Sequence, residues 1–511
     1  MSNQISDNNK RIAKNTLLLY FRMFFIMAVS LFTSRVVLKT LGVEGFGIYN
    51  VVGGIVAMMG ILNGAMSVST QRYLTFELGK GDMVRLKQVF STCFLIYLIL
   101  SGIFLVLAET IGLWFLNNKL VIPEDRIVAA NWVYQFSIIS CVNTLMANPY
   151  NAVLIAREKM NIYAYISILE VVLKLAIVYL LLVIPLDRLI IYGGLYLLMS
   201  IVITMIYRIY CIKNYQESRF QFYWDKPLFM QLMSYSGWNL FGSLSSLVKG
   251  QGLNILLNMF FNPAVNASRG IAYQINNAIT QFFTNFYTAV RPQITKYYAQ
   301  GDLDNMFKLV FRSSKFSFYL IFLLSLPIII EAPYIIQLWL GQLPDYVVPF
   351  TRMVVLISAI DFMASPLMTT CHATGRIKLY QSVVGTLIIC NVPISYCFLK
   401  FFDCSPNIVF VVSLCLSTLA LFIRIWIVRH LIESFPVWKY IKNVLLLSLV
   451  IAALSAVLPS FLHVTMESSF LTCCIVVLSS LLSTLLFIYL LGLTKGEKRA
   501  IQEIINNKLH R

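Results

Sequence analysis

The sequence predicts an all-α integral membrane protein of about fourteen transmembrane helices, arranged as two parallel six-helix repeats plus two C-terminal helices. Three observations carry that prediction. The 511 residues are 59% hydrophobic and only 12% charged, with mean hydropathy +0.77. Apolar runs of the ~20 residues that a spanning helix requires recur along the whole chain. Short motifs from the first half return in the second at an almost constant displacement.

Taken in order, the runs start at Asn15, Gly47, Gln88, Ile127, Ile162, Leu189, Tyr235, Arg269, Lys308, Val347, Gln381, Ile408, Ile441 and Phe470. Fourteen such helices use roughly 280 residues and leave connectors too short for a soluble domain. The stretch before the first run, Met1 to Lys14, is polar. That run is too long for a signal-peptide core and carries Arg22, so it reads as a retained helix. Basic residues collect on alternate loops, among them Arg72, Lys80, Arg85, Lys87, Arg157, Lys159, Arg291, Lys296, Arg376 and Lys378. The intervening loops hold few, such as Lys119, Arg126 and Arg188. This asymmetry predicts that both termini are cytoplasmic. It also accounts for the net charge of +18 without nucleic acid as a partner. The ten cysteines lie mostly in apolar runs and read as small buried hydrophobes. Neither Cys371-His372, His430 nor His463 has companions at metal-ligand spacing.

The duplication is specific. Pro149, Ala156, Lys159 and Tyr163 recur as Pro366, Ala373, Arg376 and Tyr380, each displaced by 217 positions. Arg72, Gly81-Asp82 and Val89-Phe90 recur as Arg291, Gly301-Asp302 and Val310-Phe311. A displacement spanning six helices returns the chain to the same side, so the halves are parallel repeats. The predicted organisation is an N-terminal lobe over 15–209, a cytoplasmic linker over 210–230 and a C-terminal lobe over 231–429. Two further helices follow over 430–492, with a basic cytoplasmic tail over 493–511. The linker reads either as an amphipathic interfacial segment or as a plain tether. The Gly-Asp pairs read as tight turns with helix caps. Pro149 and Pro366 read as helix bends.

The candidate functional residues are charges inside apolar helices. A charge at the bilayer centre costs about 2.5–3.5 kcal/mol on insertion scales. Such a group persists only beside a partner or a wet cavity. Arg22 and Arg35 lie in the first run, Lys174 in the fifth and Lys249 in the seventh. Arg22 is about 10 Å into its helix, and Arg35 roughly 20 Å further along. Either could line a cavity or snorkel to an interface. Lys249 sits in a polar stretch beside Gly242, Gly250 and Gly252, which predicts a bent helix facing water. Lys174 follows Glu170 by four residues, so the two can neutralise each other. Arg269 stands at an outer boundary as a cavity cation or an interfacial anchor. Asp361, with Arg352 nine residues away, is a candidate ion-coupling or lobe-pairing acid, and Glu170 is a second coupling candidate.

The stretch Leu41-Gly42-Val43-Glu44-Gly45-Phe46-Gly47-Ile48-Tyr49 resembles the opening signature of Wzx-type polysaccharide flippases. The Gly-Asp loop and the proline-to-basic loop fit the same pattern, and the resemblance covers essentially the whole chain. That family belongs to the superfamily of MATE exporters and the MurJ lipid II flippase. The resemblance implies two six-helix lobes forming a V around a cavity that opens alternately to each side. It implies as cargo an oligosaccharide on undecaprenyl pyrophosphate, flipped across a bacterial inner membrane for O-antigen, capsule or exopolysaccharide synthesis. Polysaccharide polymerase and other glycan assembly proteins are implied as partners. No cofactor, metal or catalytic residue is implied. Alternatives are a MATE-like multidrug or cation antiporter, which needs acids where this chain has cations, and a MurJ-like lipid II flippase. A membrane scaffold has little use for unpaired charges in its helices. A glycosyltransferase or polymerase needs a larger loop than any here.

Overall fold

A computed structural model describes residues 15–29, 33, 36–37, 40–41, 45, 60–118, 123–184, 187–261, 263–494 and 496–498. Fourteen helical rods occur among them. They are α1 (Asn15–Val29), α2 (Gly60–Lys80), α3 (Met83–Asn118), α4 (Glu124–Ala156) and α5 (Met160–Val183). Then come α6 (Arg188–Asn214), α7 (Lys226–Phe260), α8 (Pro263–Ala299), α9 (Leu303–Leu340) and α10 (Val347–Thr374). The series ends with α11 (Ile377–Phe401), α12 (Ile408–Leu431), α13 (Val437–Thr465) and α14 (Phe470–Gly492). Ten of these, α3 to α6 and α9 to α14, are long and apolar enough to cross a membrane. Every predicted span start falls in a separate rod except Gly47, which lies outside the described residues. Large apolar side chains such as Ile103, Trp114, Leu482 and Val464 are more than half exposed. A chain this apolar on its outside requires lipid as solvent.

The chain divides into two compact units. Unit 1 is Met1–Ser243 with Thr295–Gly301, and unit 2 is Leu244–Ile294 with Asp302–Arg511. The division falls inside α7 and α8. Residues 210–230 are fastened to unit 1. Glu217, 2% exposed, accepts from Arg157 Nη2 at 2.6 Å and Nε at 2.8 Å. Asp225 pairs with Arg85 at 3.2 Å and accepts from the Leu228 N–H at the start of α7. Phe220 packs on Phe94 with ring centroids 4.9 Å apart.

Within each unit, polar side chains hold helices together where apolar packing gives no preference over lipid. Asn143 on α4 donates to Ser200 and Thr204 on α6, each at 2.9 Å. Asn391 on α11 donates to Ser413 on α12 at 2.8 Å. The core of unit 2 gathers Leu253, Leu257, Val409 and Phe410 around Phe350.

The repeated motifs take the same local structure twice. Gly81 and Gly301 have φ of 79° and 74°, which only glycine adopts without strain. Asp82 and Asp302 then cap the next helix, accepting from the Arg85 and Asn305 N–H groups. The copies differ at one turn. Gly375 ends α10 at φ 78°, whereas the residue 217 positions earlier, Glu158, holds φ 57° with a full side chain.

Helix α9 breaks at Glu331, between Pro327 and Pro333. Pro333 has no N–H for the carbonyl of Ile329 four residues back. Arg352 on α10 supplies the missing donor, with its Nε 2.8 Å from that oxygen. His463 Nδ1 lies 2.7 Å from Glu331 Oε1 at the same break. Arg352→Ala leaves a buried acceptor unsatisfied and should lower stability by about 1–3 kcal/mol. Thermal unfolding in detergent reads this. Adding Pro333→Ala restores a backbone donor and should recover much of the loss. An unchanged melting temperature in the single variant rules out this role for Arg352.

Candidate functional site

Helix α5 carries Tyr163, Ser167, Glu170 and Lys174 at spacings of four, three and four. Those spacings place all four on one face, over roughly 16 Å of helix. Arg22 on α1 meets the start of this lane, its guanidinium carbon 4.8 Å from the Tyr163 ring centre. Its Nε is buried without a hydrogen-bond partner. No ion pair of Arg22 is found among the described residues. Tyr207 on α6 lies beside Ser167, within electrostatic reach of Tyr163, Glu170 and Arg22. At the far end, Lys174 pairs with Glu170 at 2.7 Å and stands 5.7 Å over the Tyr196 ring. Lys174 is therefore a neutralised cation, the alternative that its spacing from Glu170 allows.

In unit 2 the charges converge from four helices. Arg424 on α12, 8% exposed, donates to Asp361 Oδ1 on α10 at 3.4 Å and to the Tyr380 hydroxyl on α11 at 3.3 Å. Ser417 donates to the other Asp361 oxygen at 3.3 Å. Lys249 on α7 lies within electrostatic reach of Asp361, Arg424 and Arg269. Arg269 on α8 donates to the Gly250 carbonyl at 2.8 Å and to Asn254 Oδ1 at 3.3 Å. It also stacks over Tyr273 at 4.7 Å. Two basic side chains, Arg424 and Lys249, thus share one carboxylate, with Arg269 a third cation beside Lys249. The polar stretch around Lys249 remains helical throughout α7.

In unit 2 Lys249 lies within electrostatic reach of both Asp361 and Arg269, while in unit 1 Arg22 meets the Tyr163 end of the α5 lane and the Glu170–Lys174 pair stands at its other end. Arg35 lies outside the described residues. Asp361 is partnered by Arg424, not by Arg352, which is held on the α9 carbonyls. Sequence reading passed over Arg424. It is a cation inside the apolar run Ile408–Leu431, ahead of the Arg429-His430 pair that ends the helix, the same signal that marks Arg22.

A third charged group lies outside the apolar spans. Glu158, 4% exposed and in a left-handed conformation, forms an ion pair with Lys296 at the end of α8. Its carbonyl accepts from Asn15 Nδ2 at 3.3 Å. Strained non-glycine backbone of this kind costs about 1–3 kcal/mol and concentrates at functional positions.

A family model described as polysaccharide biosynthesis protein matches residues 12–298. No curated protein sequence matches. Solved structures share the fold. An outward-facing multidrug resistance MATE family transporter of the MOP superfamily is 14% identical over 84% of this chain and 97% of its own, with TM-score 0.69. A MATE transporter in a straight conformation is 15% identical over 84% and 97%, with TM-score 0.68. A MOP superfamily transporter from Pyrococcus furiosus, described as having a binding pocket of reverse polarity, is 14% identical over 83% and 96%, with TM-score 0.64.

Arg424→Met removes the closest partner of Asp361. The expected loss is up to about 3 kcal/mol, at the lower end for broken buried pairs because Asp361 is partly exposed. Combining it with Asp361→Asn should restore most of the stability, a coupling that a double-mutant cycle of melting temperatures measures. Additive losses would show that the two side chains do not act as a pair.

Proposed function

The chain belongs to the polysaccharide biosynthesis protein family, and we propose that it flips undecaprenyl-pyrophosphate-linked oligosaccharide from the cytoplasmic to the periplasmic leaflet. The observation that carries this reading is the sign of the intramembrane charge. Lys249 and Arg424 share the single carboxylate of Asp361, and Arg269 is a further cation within electrostatic reach of Lys249. In unit 1, Arg22 has no acidic partner among the described residues. Such a surplus suits an anionic cargo and repels a cationic one. Pyrophosphate is the anion that this cargo must bring into a low-dielectric path. Arginine matches its oxygens with forked donors, and lysine offers a compact charge. Amides such as Asn239, Asn276 and Gln281 in α7 and α8 suit sugar hydroxyls. A binding pocket of reverse polarity is described for the Pyrococcus furiosus transporter of this fold.

The cycle is alternating access, with no covalent step and no enzyme activity. Asp361 and Glu170 are the carboxylates assigned to ion coupling, since each already pairs with a neighbouring cation that another cation could replace. The protein resides in the bacterial inner membrane with both termini in the cytoplasm, in keeping with its loop charges. It operates beside the polymerase that consumes the flipped unit.

Arg22→Ala and Lys249→Ala should each abolish polymer display at the cell surface while membrane insertion stays normal. Lipid-linked oligosaccharide should then accumulate facing the cytoplasm. Full display by both variants sinks the cationic-path reading. Accumulated lipid II identifies a MurJ-like flippase instead, and export of organic cations without glycan accumulation identifies an antiporter.

A further inference from the structure

A cavity of about 460 Å³ opens in unit 1 between the first turns of α3 and residues 216–223. Its size is within the roughly 300–1,000 Å³ of ligand sites. Two charged groups in its lining are incompletely satisfied. Lys87 makes no ion pair among the described residues. Glu217 is 2% exposed and gives Oε1 to Arg157, while its Oε2 has no hydrogen-bond partner. A buried carboxylate oxygen without a donor is costly. Both residues line one cavity, and they do not pair with each other.

The walls are held in place without a ligand. Gln88 Oε1 accepts from Arg85 at 3.1 Å, and Ser91 accepts from the Gln221 N–H at 3.3 Å. The rim is apolar and open, with Val84 71% exposed and Phe222 74% exposed. The position is also specific. α3 is one of the apolar membrane-crossing rods, and residues 216–223 belong to none of them. The cavity therefore lies where a spanning helix meets water, at headgroup depth.

We propose that this cavity binds the headgroup of an anionic, hydroxyl-bearing phospholipid with the chemistry of phosphatidylglycerol. The phosphodiester faces Lys87. A head hydroxyl donates to Glu217 Oε2. The acyl chains run over Val84 and Phe222. With Arg157 neutralising Glu217, Lys87 leaves one net positive charge, which the single charge of the phosphodiester balances. The site is separate from the intramembrane cations, so it stands or falls independently of the cargo. Its occupation ties residues 216–223 to α3 and to the bilayer together.

The test uses the full chain in phosphatidylcholine nanodiscs doped with one labelled lipid, with native mass spectrometry reading the lipid retained. Phosphatidylglycerol should be retained about tenfold better than phosphatidylethanol, which carries the same diester charge without a head hydroxyl. Lys87→Ala, a half-buried position near a helix start, should fold normally and lose phosphatidylglycerol by a similar factor. Equal retention of the two lipids removes the role of Glu217. Unchanged retention in Lys87→Ala removes the site. Displacement of phosphatidylglycerol by added polyprenyl-linked glycan would overturn the assignment to a bilayer lipid. Failure of Arg22→Ala and Lys249→Ala to affect display has no bearing on any of these readings.

Discussion

A charge inside hydrocarbon must be neutralised, hydrogen-bonded or kept wet, and the described structure is organised around that requirement. Most intramembrane charges meet it locally. Arg352 completes the backbone of α9 at Pro333. Glu331 meets His463 where the same helix breaks. Lys174 closes onto Glu170 one turn away. Each group is tolerated because a neighbour substitutes for water, and each fixes a feature that apolar packing alone leaves free. The break in α9 exists because proline withdraws a donor, and it is stable because an arginine from the next helix returns one.

Against that background the remaining charges are distinctive. Arg22 stacks on Tyr163 and leaves Nε without a partner. Lys249 feels Asp361 at a distance and shares it with Arg424. The duplication makes the comparison sharper. Tyr163 and Tyr380 are repeat equivalents, and each engages an arginine, Arg22 half-buried and Arg424 buried. The arginines come from different helices, α1 in unit 1 and α12 in unit 2. The residue 217 positions before Arg424 is Tyr207, which faces the Arg22 cluster. The two units have kept a tyrosine-centred polar cluster on one scaffold while redistributing its charges. The repeated motifs therefore carry their charges on different helices in the two units.

What the sequence made legible follows from the range of each interaction. Helix starts were readable because hydrophobic runs are local, and the Gly-Asp turns because left-handed φ and capping involve three or four consecutive residues. The Lys174–Glu170 pair was readable because four residues make one helical turn. Partners from distant helices were not. Asp361 has Arg352 near it in sequence but Arg424 near it in space, since α10 turns those two faces toward different neighbours. Residues 210–230 illustrate the same limit. Their aromatic and basic character indicates an interface, yet only the Arg157–Glu217 and Arg85–Asp225 pairs show that they belong to unit 1.

A binding group that is fully satisfied in the empty protein gains nothing from cargo, and one left wholly unpaired destabilises the fold. The unit 2 cluster lies between these limits. Asp361 is more than one-third exposed and holds Arg424 by a single 3.4 Å contact, while Arg424 itself is buried. Tyr380 and Ser417 keep both partners oriented without neutralising them further. On the cargo proposed above, an arriving anion would draw on Arg424 and Lys249 without first breaking a bidentate pair, and Asp361 would retain a cation when the anion leaves. Weak internal pairing leaves interaction energy that a ligand can use, and a ligand shifts a conformational equilibrium only by its differential affinity for the two conformations.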